Sequence, residues 1–293
     1  MGYDVNVFQR RTSGSVVCPS CGSLVGVRDD KCYMCGRSNP GLWGFAPVLR
    51  QLGADLGFVP IVMGASVTIF VLTLLASGNE LEIIGGGMNI LSPSSRALLL
   101  FGMSGAMPVY GYGWWWTLFS ASWLHGGLIH LAFNMMFMRQ MGPTTAEIIG
   151  PSRTVIVYVV AGVIGFFVSS TAGRLLGWVP ISFLRGGYYT MGASASAFGL
   201  LGALVHYGRT SGSSLIRTQA TQYAVGAAVF GLIMPGIDNY AHAGGFLGGY
   251  LVSSFMKPLT RERGDHLVIA FGCLLVSFLA IAYSIVHGLG ILR

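Results

Sequence analysis

Ser194 and His242 are two side chains with hydrolytic chemistry, and each stands near the start of a separate glycine-rich, otherwise apolar stretch long enough to cross a membrane. A serine hydroxyl needs a base to take its proton before it attacks, and imidazole, titrating near neutral pH, suits that task. A third such stretch carries His130 and Asn134, four residues apart and so on one face of a helix. If Ser194 attacks a carbonyl, the Asn134 amide, the His130 ring and backbone N–H groups could stabilise the charged oxygen that forms. Lipid offers such polar groups no water, which makes each of them a candidate functional residue. The bland alternative is packing or a hydrogen bond to a neighbouring helix, and Ser196 is read that way. Asp238 lies four residues before His242 at the start of a span, the place of an N-cap, so the site is read as a Ser–His dyad without an acidic third member.

The elements that must position these groups are membrane helices. Of the 293 residues 53% are hydrophobic and only 9% charged, with a mean hydropathy of +0.66, against about 25% charged residues in soluble domains. The stretches Phe58–Ser77, 154–173 and 267–286 reach the ~20 uncharged residues that span a hydrocarbon core. Four further spans are expected at 118–138, 187–207, 218–236 and Asn239–Met256, each bearing His, Asn, Ser or many glycines. The fold class expected is therefore all-α, with seven membrane helices. Alternating direction makes the second, fourth and sixth spans start at one face. At ~1.5 Å per residue, His130, Ser194 and His242 then fall within about three turns of those starts and share a depth. Gly244, Gly245, Gly248 and Gly249, with Ala195, Gly199 and Ala203, form small-x-x-x-small pairs that let the fourth and sixth spans approach closely.

The first forty-odd residues are polar and lack an apolar core, so no secretory signal is expected and the amino terminus is placed in the cytoplasm. With that orientation Arg139, Arg153, Arg209, Arg217, Lys257, Arg261 and Arg263 lie inside, against Arg96, Arg174, Arg185 and Arg293 outside, in keeping with the positive-inside rule. Attraction to anionic lipid accounts for the net charge of +7, and no nucleic-acid partner is implied. The long first loop, with Gly85–Gly87, the apolar run 97–101 and Trp114, Trp115 and Trp116, is expected to lie in the headgroup layer.

Ahead of the first span come Cys18 and Cys21, then Cys32 and Cys35, two Cys-x-x-Cys knuckles each followed by a glycine. Four thiolates at this spacing suit a structural zinc, and about forty residues with few large apolar side chains need such a clamp. Rubredoxin-like iron, a redox pair or two disulfides are the alternatives, the last requiring an oxidising compartment. A closed four-thiolate site has no open position, so its role is structural and no cofactor is expected in catalysis. Cys273 is read as a packing residue. The domains expected are a zinc-ribbon-like unit at 1–45, a linker at 46–57, a six-span core at 58–256, and a seventh helix at 257–293.

The pattern His125-x4-His130-x3-Asn134, Gly192-Ala193-Ser194 followed by Phe198-Gly199-Leu200, and Ala241-His242-Ala243-Gly244-Gly245 resembles the rhomboids, intramembrane serine proteases, over roughly residues 58–256. The resemblance implies a six-helix bundle with a seventh helix appended and an accessory zinc-ribbon-like extension. It also implies Ser194 as nucleophile, His242 as base, oxyanion contacts from the second span, and Phe198 packed on the His242 ring. Substrates would be transmembrane segments cut near the outer face of a bacterial cytoplasmic membrane, and the zinc-ribbon-like unit would have a partner of its own. Two positions depart from the family pattern: Ala195 replaces a glycine after the serine, and Thr117 replaces an arginine expected to brace the first loop against an acid such as Glu147. The competing reading is a catalytically silent membrane-client binder. A transporter is weaker, since neither an inverted repeat nor much intramembrane charge is evident.

Overall fold

The computed structural model describes residues 10–19, 21–51, 53, 55–84, 90–181, 184–234, 236–260 and 262–291. The glycine run 85–87, Arg261 and Arg293 lie outside them. The chain divides into two compact units, Met1–Gly57 and Phe58–Arg293.

The first unit is built on a hairpin of β1 (Ser15–Val17) and β2 (Leu24–Gly26), antiparallel with Val16 opposite Val25, followed by the short helix α1 (Ala46–Gln51). The two cysteine knuckles have one geometry. Gly22 and Gly36, at φ 76° and 70°, each return an N–H to the carbonyl of the first cysteine of their pair, at 2.9 and 2.8 Å. A left-handed residue is needed there to close the turn, and glycine takes that conformation without penalty. Val16, Val25, Val27, Cys18 and Cys32 are the buried centre, a core too small to hold the fold alone.

The second unit is helical. In chain order it comprises α2 (Phe58–Ser77), the hairpin β3 (Glu82–Ile84) and β4 (Ile90–Ser92), α3 (Ser95–Leu100) and α4 (Thr117–Ser120). Then follow α5 (Leu128–Ile149), α6 (Pro151–Leu176), α7 (Ser194–Thr210), α8 (Ser214–Ile233), α9 (Asn239–Met256) and α10 (Gly264–Ile291). Among the described residues three helices are long and apolar enough to cross a membrane by length and composition, at Phe58–Glu80, Pro151–Leu176 and Asp265–Gly290. Each contains one of the three uncharged stretches and extends a few residues beyond it.

Two expected spans have different bounds. The stretch 118–138 is not one helix: α4 and the turn Ala121–Trp123 are separated from α5 by Gly126 and Gly127, and Gly127 is fully extended at φ 178°. Helix α5 then continues to Ile149, which puts Arg139 within a helix rather than in a loop. The stretch 187–207 becomes helical only at Ser194, because the residues before it pair with the first loop. Ala106 N–H donates to Gly187 O at 2.9 Å, and Ser104 and Thr190 exchange both backbone bonds at 3.1 and 2.8 Å.

At the centre, α7 and α9 touch backbone to backbone. A Cβ at Gly249 would run into the carbonyl of Gly199, one at Gly245 into that of Ala195, and one at Gly202 into that of Phe246. Side chains larger than hydrogen at these positions would hold the helices apart, so the small-residue spacing sets the approach. Helix α6 lies against both: Gly165 faces the carbonyl of Ala241, and the α6 residue Ala161 fills the space over Gly199. Helix α10 is tied to the first loop by Trp116, whose Nε1 donates to Ser284 Oγ at 2.8 Å and whose ring meets Tyr283 and His287. Its connection is pinned at the start of α6, where Glu262 accepts the Arg153 N–H at 2.8 Å and the Arg153 guanidinium donates to Thr260 O at 2.9 Å. A carboxylate there satisfies an orphan donor of the first turn and complements the helix dipole.

Candidate active site

Ser194 is the first residue of α7 and His242 lies in the first turn of α9, so the close approach of these helices brings the two together. His242 Nε2 is 2.9 Å from Ser194 Oγ, a hydrogen bond of ordinary length. Phe198, one turn after the serine, stacks on the imidazole with ring centroids 4.2 Å apart and planes 12° from parallel. That fixes the ring plane. Among the described residues Nδ1 of His242 has no hydrogen-bond partner. Asp238 does not reach it: its carboxylate caps α9 by accepting the Ala241 N–H at 3.0 Å and takes the hydroxyls of Ser169 and Thr190. Ser194 and His242 thus lie within hydrogen-bond reach with the Asp238 carboxylate engaged elsewhere.

His130 and Asn134 stand in the first two turns of α5 and line the same cavity of about 820 Å³ as Ser194 and His242. Nδ1 of His130 accepts the Gly126 N–H at 3.4 Å, which leaves the neutral ring's proton on Nε2. Where that proton points is shown by Gly192. A Cβ built there would lie 2.6 Å from His130 Nε2 and 3.8 Å from Ser194 Oγ, so both atoms face the space that Gly192 leaves open. Gly192 has φ 123°, a left-handed conformation that favours glycine on backbone grounds as well. Asn134 is buried and its Nδ2 donates to the His130 carbonyl at 2.9 Å, within its own helix. His125, also buried, lies edge to face on the His130 ring at 5.3 Å and holds its orientation. Among the described residues no N-cap side chain covers the start of α7, which leaves its first-turn N–H groups open to an acceptor beside Ser194.

Both departures from the family pattern have a local account. The Ala195 methyl occupies the space over Gly165 of α6, where a second methyl would come within 3.0 Å, so the added carbon is met by a glycine on the neighbouring helix. Thr117 braces the first loop itself, its hydroxyl donating to Trp114 O at 2.7 Å and lying 3.2 Å from Ser104 Oγ. Ser196 bonds Ser122 at 3.0 Å in the core, as a packing serine does. Sequence reasoning missed Ser169 and Thr190; the run Ser169-Ser170-Thr171 inside an apolar span was the one signal available.

The sulfurs of Cys18, Cys21, Cys32 and Cys35 lie within 4.8 Å of one another, with Cys18–Cys35 at 3.8 Å and Cys21–Cys32 at 3.5 Å. A tetrahedral ion with metal–sulfur bonds of ~2.3 Å has sulfur–sulfur edges of ~3.8 Å, so the four could hold a metal ion. Hydrogen bonds from the Ser23 side chain and backbone lower the Cys21 thiol to about 6, while burial pushes Cys32 up to about 11.

A model of the rhomboid domain matches residues 112–259, half of the chain, and the chain belongs to the rhomboid family. It is an integral membrane protein. It is 30% identical over 194 residues to the rhomboid protease GluP of Bacillus subtilis (strain 168), covering 65% of this chain and 34% of that one. RHOMBOID-like protein 4 of Arabidopsis thaliana is 30% identical over 212 residues, 66% of this chain and 51% of the relative. The putative rhomboid protease YdcA of Bacillus subtilis (strain 168) is 28% identical over 155 residues, 52% and 71% of the two chains. The chain thus spans about a third of the length of the first of these relatives and half of the second.

Proposed function

We propose that this protein is an intramembrane serine endopeptidase in which Ser194 is the nucleophile and His242 the general base. The observation that carries the reading is the 2.9 Å contact between Ser194 Oγ and His242 Nε2 inside a cavity that His130 and Asn134 also line. Ser194 Oγ adds to the carbonyl carbon of the scissile bond as its proton passes to His242 Nε2. The negative charge then rests on the former carbonyl oxygen, facing the His130 Nε2–H, the first N–H groups of α7, and the Asn134 amide after rotation of its side chain. Collapse expels the amine, which takes the proton from His242, and water hydrolyses the resulting ester by the reverse proton path.

Substrates are transmembrane segments that unwind readily, because a helix hides its own carbonyls from attack. The amino terminus lies in the cytoplasm of a bacterial cell, with the dyad near the outer face of the membrane. The four cysteines hold a structural zinc, and the unit they close, residues 1–45, joins the six-span core at 58–256 through the linker 46–57. The seventh helix follows at 257–293, and the zinc-ribbon-like unit serves a partner of its own. Incubating the purified protein with a model single-span substrate tests the activity. Wild type cleaves and Ser194→Ala does not; equal cleavage by the two contradicts the proposal.

A further inference from the structure

We infer that Asp238 is a positioning residue for the Ser–His pair, tying the first turn of the helix that carries His242 to the segment that delivers Ser194. The inference rests on the reading of Ser194 and His242 given above. An N-cap uses one carboxylate oxygen, and Oδ1 of Asp238 fills that role by accepting the Ala241 N–H at 3.0 Å. Its second oxygen does something a cap does not require. Oδ2 accepts the Thr190 hydroxyl at 2.6 Å and the Ser169 hydroxyl as well, gathering donors from two other parts of the fold.

Each of those donors is itself anchored. Ser169 Oγ, on α6, accepts the Gly187 N–H at 3.0 Å. Thr190 is bonded in both directions to Ser104 of the first loop, and Gly192 donates to Ala121 O at 2.9 Å just before the turn into Ser194. Glycines mark the closeness of this seam: a Cβ at Gly187 would lie 2.5 Å from Ser169 Oγ and 2.8 Å from Asp238 Oδ2, and one at Gly105 would run into the Tyr188 carbonyl. From Asp238 the bonds therefore run along 187–192 to the nucleophile, while His242 stands four residues further along α9. A proton transfer at 2.9 Å depends on that registry, and misplacement by about 1 Å is enough to cost ~100-fold in rate.

The test separates positioning from capping. Serine caps a helix as well as aspartate but is too short to gather both hydroxyls, so Asp238→Ser keeps the cap and removes the tie. In the full-length protein it should react with a fluorophosphonate at Ser194 ~10- to 100-fold more slowly and cleave a model substrate with kcat reduced in proportion. KM should stay within about twofold, since the network stabilises the reacting geometry rather than docking. Thr190→Val removes one of the two hydroxyls without touching the cap and should slow labelling by ~2- to 10-fold, the worth of one hydrogen bond. The double variant should be no slower than Asp238→Ser alone, because both act through one network. Labelling of folded Asp238→Ser at the wild-type rate overturns the inference. Should that variant not fold, wild-type labelling by Thr190→Val overturns it instead. Wild-type protein that fails to label would contradict Ser194 as nucleophile, a separate and distinguishable failure.

Discussion

His130 differs from Asn134 in what it would offer the proposed reaction, although both are legible in the sequence as residues of one helical face. Its Nδ1 is occupied by the Gly126 N–H and its Nε2 faces the space beside Ser194, whereas the Asn134 amide is bonded to its own helix at 2.9 Å. Both should matter once charge develops on the substrate oxygen. His130→Ala and Asn134→Ala are each expected to lower kcat by ~100- to 1000-fold with KM little changed, as measured by steady-state cleavage. A raised KM with kcat unchanged would point to substrate docking instead. Gly192 carries a related prediction. A methyl there meets His130 Nε2 on a backbone of φ 123°, so Gly192→Ala should label with a fluorophosphonate more slowly than wild type while remaining folded. The N-cap role of Asp238 was legible from its place before the span. Its hold on Ser169 and Thr190 was not, since those residues are 69 and 48 positions away and no local pattern joins them.

Helices α7 and α9 carry the largest share of what the sequence made readable. Of the small residues the sequence offers for the seam, Gly245 and Gly249 meet the backbone of Ala195 and Gly199, Gly202 meets that of Phe246, and Gly244 and Gly248 instead face Val168 and Ile164 of α6. Filling it should be costly: Gly249→Leu would drive a side chain into the Gly199 carbonyl, an overpacking worth about 1–3 kcal/mol, read as a lower thermal midpoint in detergent. A midpoint equal to wild type would mean that the seam is looser than this geometry. The three uncharged spans are legible at nearly their observed positions because hydropathy alone decides them. Composition alone hides the break in the second span: Gly126 and Gly127 look like their neighbours, yet the extended backbone of Gly127 starts a new helix there. The segment before Ser194 reads as helix in the sequence for a similar reason. What removes it from the helix is pairing with Ser104 and Ala106, more than eighty residues earlier in the chain, which no local window contains.

The whole chain joins a small four-cysteine unit to a membrane bundle in which His130, Asn134, Ser194 and His242 line one cavity. Bound zinc should therefore measure one ion per chain, and Cys18→Ser should reduce that content sharply; unchanged zinc would remove the cysteines from the ligand set. A closed four-thiolate centre takes no part in acyl transfer, so a chelator that strips the metal should leave the initial rate of fluorophosphonate labelling unaltered. The legibility of that centre came from the doubled Cys-x-x-Cys-Gly spacing alone. The most direct measurement of the central claim is peptide mapping of the full-length protein, in a bilayer, after reaction with a fluorophosphonate. A single adduct on Ser194 is expected, lost in His242→Ala as well as in Ser194→Ala. An adduct on another residue, or undiminished labelling of His242→Ala, would contradict it.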